Sequence, residues 1–131
     1  MESPILTASS TLFLIPWYYA FINGQYLNSQ AAFALFLTSI YYHGLRTPFT
    51  YYVDQVAMVS YVARNTYSLC TGGMWLQALL LNAYCITVYY SRPSQWKSNN
   101  KNILTVEFCH ATIHIMGSIP IAYLQQFLPV T

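Results

Sequence analysis

The sequence predicts an all-α membrane protein, a single transmembrane domain over residues 1–131 built as a bundle of about five transmembrane helices. Two observations predict this fold class. Hydrophobic residues make up 56% of the chain and charged residues only 6%, whereas soluble domains have about 25% charged residues. The apolar residues also fall into five runs, and each run approaches or reaches the length of a membrane-spanning helix.

The five runs follow one another with short polar breaks. They cover about Ile5 to Ile22, Tyr26 to His43, Phe49 to Cys70, Met74 to Tyr90 and Ile103 to Val130. Pro16 and Pro120 lie inside the first and last runs, where proline bends a membrane helix without ending it. The first residues, Met1 to Pro4, lack the basic region of a cleavable signal peptide, so the first run is predicted to be retained as a span.

The basic residues predict the orientation of the bundle. Arg46, Arg92, Lys97 and Lys101 fall on the side where the second and fourth runs end, and Arg64 alone approaches the opposite side. Four basic residues lie on the first side and one on the second. Because basic residues favour the cytoplasmic or matrix side of a membrane, the first side and the N-terminus are predicted to face the cytoplasm or matrix. The expected location is an intracellular membrane. The net charge of +2 is too weak and too dispersed to indicate nucleic-acid binding.

Five polar residues are predicted to meet near that side of the bundle. Ser39 and His43 lie four apart at the end of the second run, Asp54 lies just inside the third, and His110 and His114 lie four apart in the last. Residues four apart share one face of a helix. Antiparallel spans then place all five side chains at a similar depth.

These residue types suit a zinc site with acid–base help. Three histidines bind zinc through neutral ring nitrogens and leave a fourth position for a water, whose pKa the metal lowers. Asp54 could accept a proton from the water and return it to a leaving group. Ser39 could donate a hydrogen bond to the developing oxyanion or to a neighbouring side chain. Glu107, three residues before His110, could orient an imidazole or point to the interface.

Each of these residues also has an ordinary structural interpretation. A single histidine in a span usually makes a hydrogen bond between helices, and a serine there usually packs. All three histidines and two of the three acids of the chain nevertheless fall in this one layer. Because ionisable groups inside spans are costly, their concentration indicates a functional site.

The same residues resemble the pattern of the CREST superfamily of membrane hydrolases, which includes alkaline ceramidases and the progestin and adiponectin receptors. The resemblance lies in Ser39-Ile40-Tyr41-Tyr42-His43, in Asp54 eleven residues later, and in His110-Ala111-Thr112-Ile113-His114. It implies that His43, His110 and His114 bind zinc, with Asp54 and Ser39 around the activated water. It also implies hydrolysis of a lipid amide, as of ceramide to sphingosine and fatty acid. Members usually have seven spans, so this chain is predicted to be a shortened form.

Two functions stay open on the sequence alone. One is a zinc-dependent, ceramidase-like hydrolase of membrane lipid amides, whose substrate enters from the bilayer. The other is an accessory structural subunit of a larger membrane complex, because five short aromatic-rich spans could pack against other subunits. A proton or ion pathway along Asp54 and Glu107 is a weaker alternative, since the helices offer no relay beyond that layer. A receptor function follows from family analogy alone.

Overall fold

The computed structural model describes residues 4–91 and 103–129, and it is built from helices. They are α1 (Pro4–Ser10), a 3₁₀ turn (Thr11–Phe13), α2 (Leu14–Ile22), α3 (Tyr26–Leu45), α4 (Pro48–Thr71), α5 (Trp75–Ser91) and α6 (Ile103–Gln125). The all-α prediction is therefore confirmed, and each apolar run corresponds to helix. The polar loop that carries Arg92, Lys97 and Lys101 lies outside the described residues, as does Val130.

The first apolar run is a helical segment with a tightened turn in its middle. At the end of the 3₁₀ turn, the backbone N–H of Leu14 reaches the carbonyl of Thr11, three residues back. Pro16 follows at once, and its ring removes the N–H that would otherwise bond to the carbonyl of Leu12. The segment therefore passes from a 3₁₀ turn to an α-helix just after Phe13.

A tight connection joins α3 to α4. Arg46 ends α3 in the left-handed conformation with φ 48°. Thr47 then caps α4: its side chain accepts from the backbone N–H of Thr50, whose own hydroxyl accepts from the backbone of Thr47, and Pro48 occupies the first turn. This reciprocal cap with an early proline is a strong start signal for a helix. The connection places the end of α3 next to the start of α4.

The hydrophobic core lies where the N-terminal segment, α3, α4 and α6 meet. Segment α1–α2 packs against both α3 and α6, α4 packs against α3, and α5 packs against α4 and α6. The core residues are Phe13, Ala32, Leu35, Tyr61, Leu69, Ala78 and Ile121. The N-terminal segment thus links the two helices that carry the three histidines.

A buried polar network ties the other end of α3 to α4 and α6. Arg64 donates from Nε to Asn28 Oδ1 (2.9 Å), and Asn28 Nδ2 donates to Ser68 Oγ (3.0 Å) and to Gln25 Oε1 (3.3 Å). Gln25 Nε2 in turn donates to the carbonyl of Gln125 (2.9 Å). Because an arginine can only donate, it fixes which way the amides of Asn28 and Gln25 point.

Among the described helices, the continuous segment Pro4–Ile22 is long and apolar enough to cross a membrane. Length and composition therefore do not support the five spans that the sequence predicted. The described part of α5 has 17 residues, and α4 carries Asp54, Arg64 and Asn65, which lower its hydropathy.

Candidate metal centre

The three predicted metal ligands come together in one cluster. The ring centroids of His43, His110 and His114 are 4.9 to 5.4 Å apart. One nitrogen from each ring lies within 4.8 Å of the other two. His43 and His114 are 1% and 4% exposed. The three histidines therefore lie close enough to bind a metal ion.

Helix geometry explains how residues from distant parts of the chain meet. His43 lies two residues before the end of α3, while His110 and His114 occupy successive turns of α6. α1 packs against both helices and holds them at the level of the histidines. The spacing of four on α6 points both of its imidazoles in one direction.

A serine from α1 lies within hydrogen-bond distance of His114. Ser9 Oγ is 2.7 Å from His114 Nδ1, and the same hydroxyl donates to the carbonyl of Leu6 (3.1 Å). When the single hydroxyl proton of Ser9 points at the carbonyl of Leu6, Nδ1–H of His114 donates to Ser9, which leaves the Nε2 lone pair for a metal. Such an outer hydrogen bond orients a metal-binding imidazole and makes it more basic.

The donor set fits zinc better than a hard cation. Three imidazoles are typical of catalytic zinc sites, which bind zinc at about 2.0–2.1 Å and keep a fourth position for water. Nitrogens that share one zinc ion are about 3.4 Å apart, so binding would draw the histidine nitrogens, which lie within 4.8 Å of one another, closer by up to about 1.4 Å. Calcium and magnesium prefer oxygen ligands.

Asp54 and Ser39 form a second polar group beside the histidines. Asp54, 6% exposed, accepts at Oδ1 from Ser39 Oγ (2.8 Å) and from Thr38 Oγ1 (3.1 Å). Ser39 precedes His43 by one helical turn, so the two share a face of α3. The structure thus links Asp54 to the cluster through Ser39, whose proton is directed at the carboxylate.

Glu107 contacts Arg46 rather than a histidine. Its Oε1 lies 3.7 Å from a terminal nitrogen of Arg46, and both side chains are largely covered. Glu107 precedes His110 by one turn of α6, and Arg46 follows His43 at the end of α3. The ion pair therefore joins the two ligand-bearing helices just outside the metal cluster. Neither role predicted for Glu107 from the sequence includes this contact.

A separate apolar cavity of about 480 Å³ lies between α4, α5 and α6. Its wall includes Met58 and Val59 from α4, Cys85 and Ile86 from α5, and Met116 from α6. Val59 and Ile86 are also exposed at the protein surface, so the cavity opens sideways between α4 and α5. Among the described residues that line it, there is no histidine and no carboxylate.

Sequence analysis missed three parts of this site. Thr38 is next to Ser39 in the chain, and its hydroxyl could have been found from that neighbourhood. Ser9 and Phe13 approach His114 from the N-terminal segment, and local periodicity gives no signal for such a contact. No family model matches the chain, and no curated protein or solved structure matches it either.

Proposed function

We propose that the protein is a zinc-dependent intramembrane hydrolase of lipid amides, similar to ceramidases of the CREST superfamily. The observation that carries the proposal is the cluster of His43, His110 and His114, with Ser39, which is hydrogen-bonded to Asp54, one helical turn before His43. A three-nitrogen metal site beside a general acid–base group is the arrangement that metal-assisted hydrolysis requires.

The proposed placement is a multi-pass bundle in an intracellular membrane, with the N-terminus on the cytoplasmic or matrix side. Large apolar side chains are exposed on each helix from α2 to α6, for example Tyr18, Phe33, Val56, Leu80 and Ile119. Polar side chains are buried instead: Ser10, Gln25, Asn28, Ser39, His43, Asp54 and Gln125. Apolar residues outside and polar residues inside suit a bundle in lipid, where polar groups must be satisfied by the protein.

The residues of the chain divide the chemistry between them. Zinc, when bound by the three histidines, supplies a Lewis acid and lowers the pKa of a water beside it. Asp54 takes the proton of the attacking water and later delivers it to the amine nitrogen that leaves. Its Oδ1 accepts the hydroxyl of Ser39, so we assign the proton transfer to the other oxygen, Oδ2. Ser39 and Thr38 hold the carboxylate in place.

The apolar cavity suits the hydrocarbon part of such a substrate. Its volume of about 480 Å³ lies within the range of about 300–1,000 Å³ that is usual for small-molecule sites. Its sideways opening past Val59 and Ile86 admits a chain from the bilayer. The polar amide then lies towards the histidine cluster and the hydrocarbon lies in the cavity.

Metal content and turnover of the purified full chain test the proposal. We expect about one zinc per chain and hydrolysis of a ceramide-like amide in detergent or vesicles. Asp54→Asn is expected to keep zinc and to lower hydrolysis about 10²-fold or more, the usual size of acid–base catalysis. His110→Ala is expected to lose zinc and activity together. Protein purified without chelator that contains no zinc would overturn the proposal.

The second candidate function is an accessory subunit of a larger membrane complex. The sideways opening of the cavity between α4 and α5, with apolar side chains exposed at its rim, favours it. Helices of another subunit would cover that opening, and the metal centre would then serve structure. Zinc-bound protein without amide turnover, isolated only in a stoichiometric complex with other membrane proteins, would favour this candidate over the hydrolase.

A further inference from the structure

Phe13 lies between the apolar cavity and the candidate metal centre. Its ring lines the cavity and is 4% exposed. The same ring meets His114 edge-on, with a centroid distance of 5.3 Å and an angle of 63° between the planes. Phe13 is therefore in direct contact with both compartments.

Tyr61 and Gly117 complete the wall around Phe13. The rings of Phe13 and Tyr61 pack edge to face at 5.5 Å, and the Tyr61 hydroxyl donates to the carbonyl of Gly117. A Cβ placed on Gly117 would lie 3.8 Å from the ring of Phe13, which is ordinary van der Waals contact. Tyr61 is thus fixed by its hydrogen bond, whereas Phe13 has packing contacts alone to hold its ring.

The backbone around Phe13 is the irregular part of the N-terminal segment. Phe13 is the last residue of the 3₁₀ turn Thr11–Phe13, and Pro16 follows it. A short 3₁₀ stretch inside a longer helix often marks a hinge. Of the two aromatic rings in this wall, that of Tyr61 is held by a hydrogen bond, and that of Phe13 is not.

We propose that Phe13 is the gate between the apolar cavity and the metal centre. When its ring lies against His114, a hydrocarbon chain in the cavity is separated from the metal. When the ring turns to another χ1 rotamer, the polar end of that lipid chain reaches the histidines. Phe13 would then select lipids by the distance between their amide carbonyl and the hydrocarbon chain that occupies the cavity. This inference rests on the proposed zinc hydrolase function.

The rate at which zinc leaves the protein tests the gate without using activity. 1,10-Phenanthroline is an apolar chelator that we expect to enter through the cavity, whereas EDTA is charged and is expected to approach the metal from the aqueous side. Phe13→Leu removes the ring but keeps an apolar side chain. We expect it to speed zinc loss to 1,10-phenanthroline about tenfold, equivalent to about 1.4 kcal/mol in the barrier. Zinc loss to EDTA is expected to stay at the wild-type rate.

Two variants serve as controls. Phe21→Leu changes the same residue type in the same segment, but Phe21 is exposed and does not line the cavity, so both rates should match wild type. Phe13→Trp keeps an aromatic ring at the gate, so its zinc loss to 1,10-phenanthroline should not exceed that of wild type.

The outcomes separate the gate from the proposed function. The gate is supported if Phe13→Leu is the only variant that loses zinc faster than wild type, and if it does so with 1,10-phenanthroline but not with EDTA. An unchanged rate in Phe13→Leu, or an equal rise with EDTA, overturns the gate and leaves the zinc site in place. A Phe13→Trp protein that loses zinc as fast as Phe13→Leu also overturns it. Wild-type protein that binds no zinc overturns the proposed function and the gate together.

Discussion

Ser9 and His114 lie 105 positions apart in the chain, yet the serine Oγ is 2.7 Å from the imidazole Nδ1, within hydrogen-bond distance. Outer partners of this kind usually change metal affinity by about 10–100-fold. Ser9→Ala is therefore expected to weaken zinc binding by about 10-fold or more while the protein stays folded. Competition with a chelator of known affinity measures the change.

Thr11→Ala is the matched control for Ser9→Ala. Thr11 also donates a hydroxyl to a carbonyl three residues back, but it is exposed and does not contact His114. The control should keep the zinc affinity of wild type. Equal losses in the two variants would show that the hydroxyl of Ser9 acts on the helix and not on His114.

The hydroxyl groups on Asp54 predict a graded effect on hydrolysis. Ser39→Ala removes the shorter of the two hydrogen bonds to Oδ1 and leaves the bond from Thr38. We expect a loss of about 10-fold in turnover, smaller than the ~10²-fold loss expected for Asp54→Asn. Zinc content should be unchanged in both variants. A loss in Ser39→Ala larger than in Asp54→Asn would show that Ser39 contacts the substrate itself.

Arg46 combines an ion pair with a strained backbone, and two substitutions separate them. Arg46→Ala and Arg46→Gly both remove the contact with Glu107, a partly exposed pair worth at most about 1 kcal/mol. Glycine also tolerates the left-handed φ of 48°, which costs other residues about 1 kcal/mol. The free energy of unfolding of Arg46→Gly should therefore exceed that of Arg46→Ala by about 1 kcal/mol, as measured by denaturant unfolding. Equal stabilities would contradict the left-handed conformation at this position.

Asn28 is the branch point of the buried network at the other end of α3. Asn28→Ala leaves Arg64 Nε and Ser68 Oγ without their partner oxygen, and burying such groups unpaired costs about 1–3 kcal/mol, more when the group is charged. We expect thermal unfolding in detergent at a clearly lower temperature. Gln30→Ala, an exposed change on the same helix, should stay within about 0.5 kcal/mol of wild type.

The orientation can be tested in sealed vesicles. The basic residues predict that the loop containing Asn99 faces the cytoplasm or matrix, together with the N-terminus. A protease-sensitive tag at Asn99 should be cleaved from that side and protected from the other. Cleavage from the opposite side would reverse the assignment.

The helices could be predicted from the sequence because their signals are local. Apolar runs, the proline at the start of α4 and the polar break after Ile22 lie within a few residues of the ends that they mark. The histidine cluster could be predicted for the same reason: spacing fixes the face of each helix, and the two helices between α3 and α6 return the chain to the side where α3 ends.

The parts that could not be predicted depend on which helices touch. Ser9 and Phe13 reach His114 because α1 packs between α3 and α6, and no pattern within α1 indicates that neighbour. The ion pair of Arg46 with Glu107 has the same origin. The count of spans was judged from apolar runs alone, whereas buried polar residues such as Asn65 take several of these helices below the hydropathy of a typical span.

The order in which the three histidines enter the chain has a consequence for assembly. His43 is made early, but His110 and His114 are on α6, the last of the described helices, so a chain interrupted after α5 has only one of the three proposed ligands. Metal binding by this site would therefore come after the synthesis of α6. An ion that binds only the folded form stabilises it in proportion to the logarithm of the ion concentration. The concentration of free zinc would then affect the stability of the folded chain.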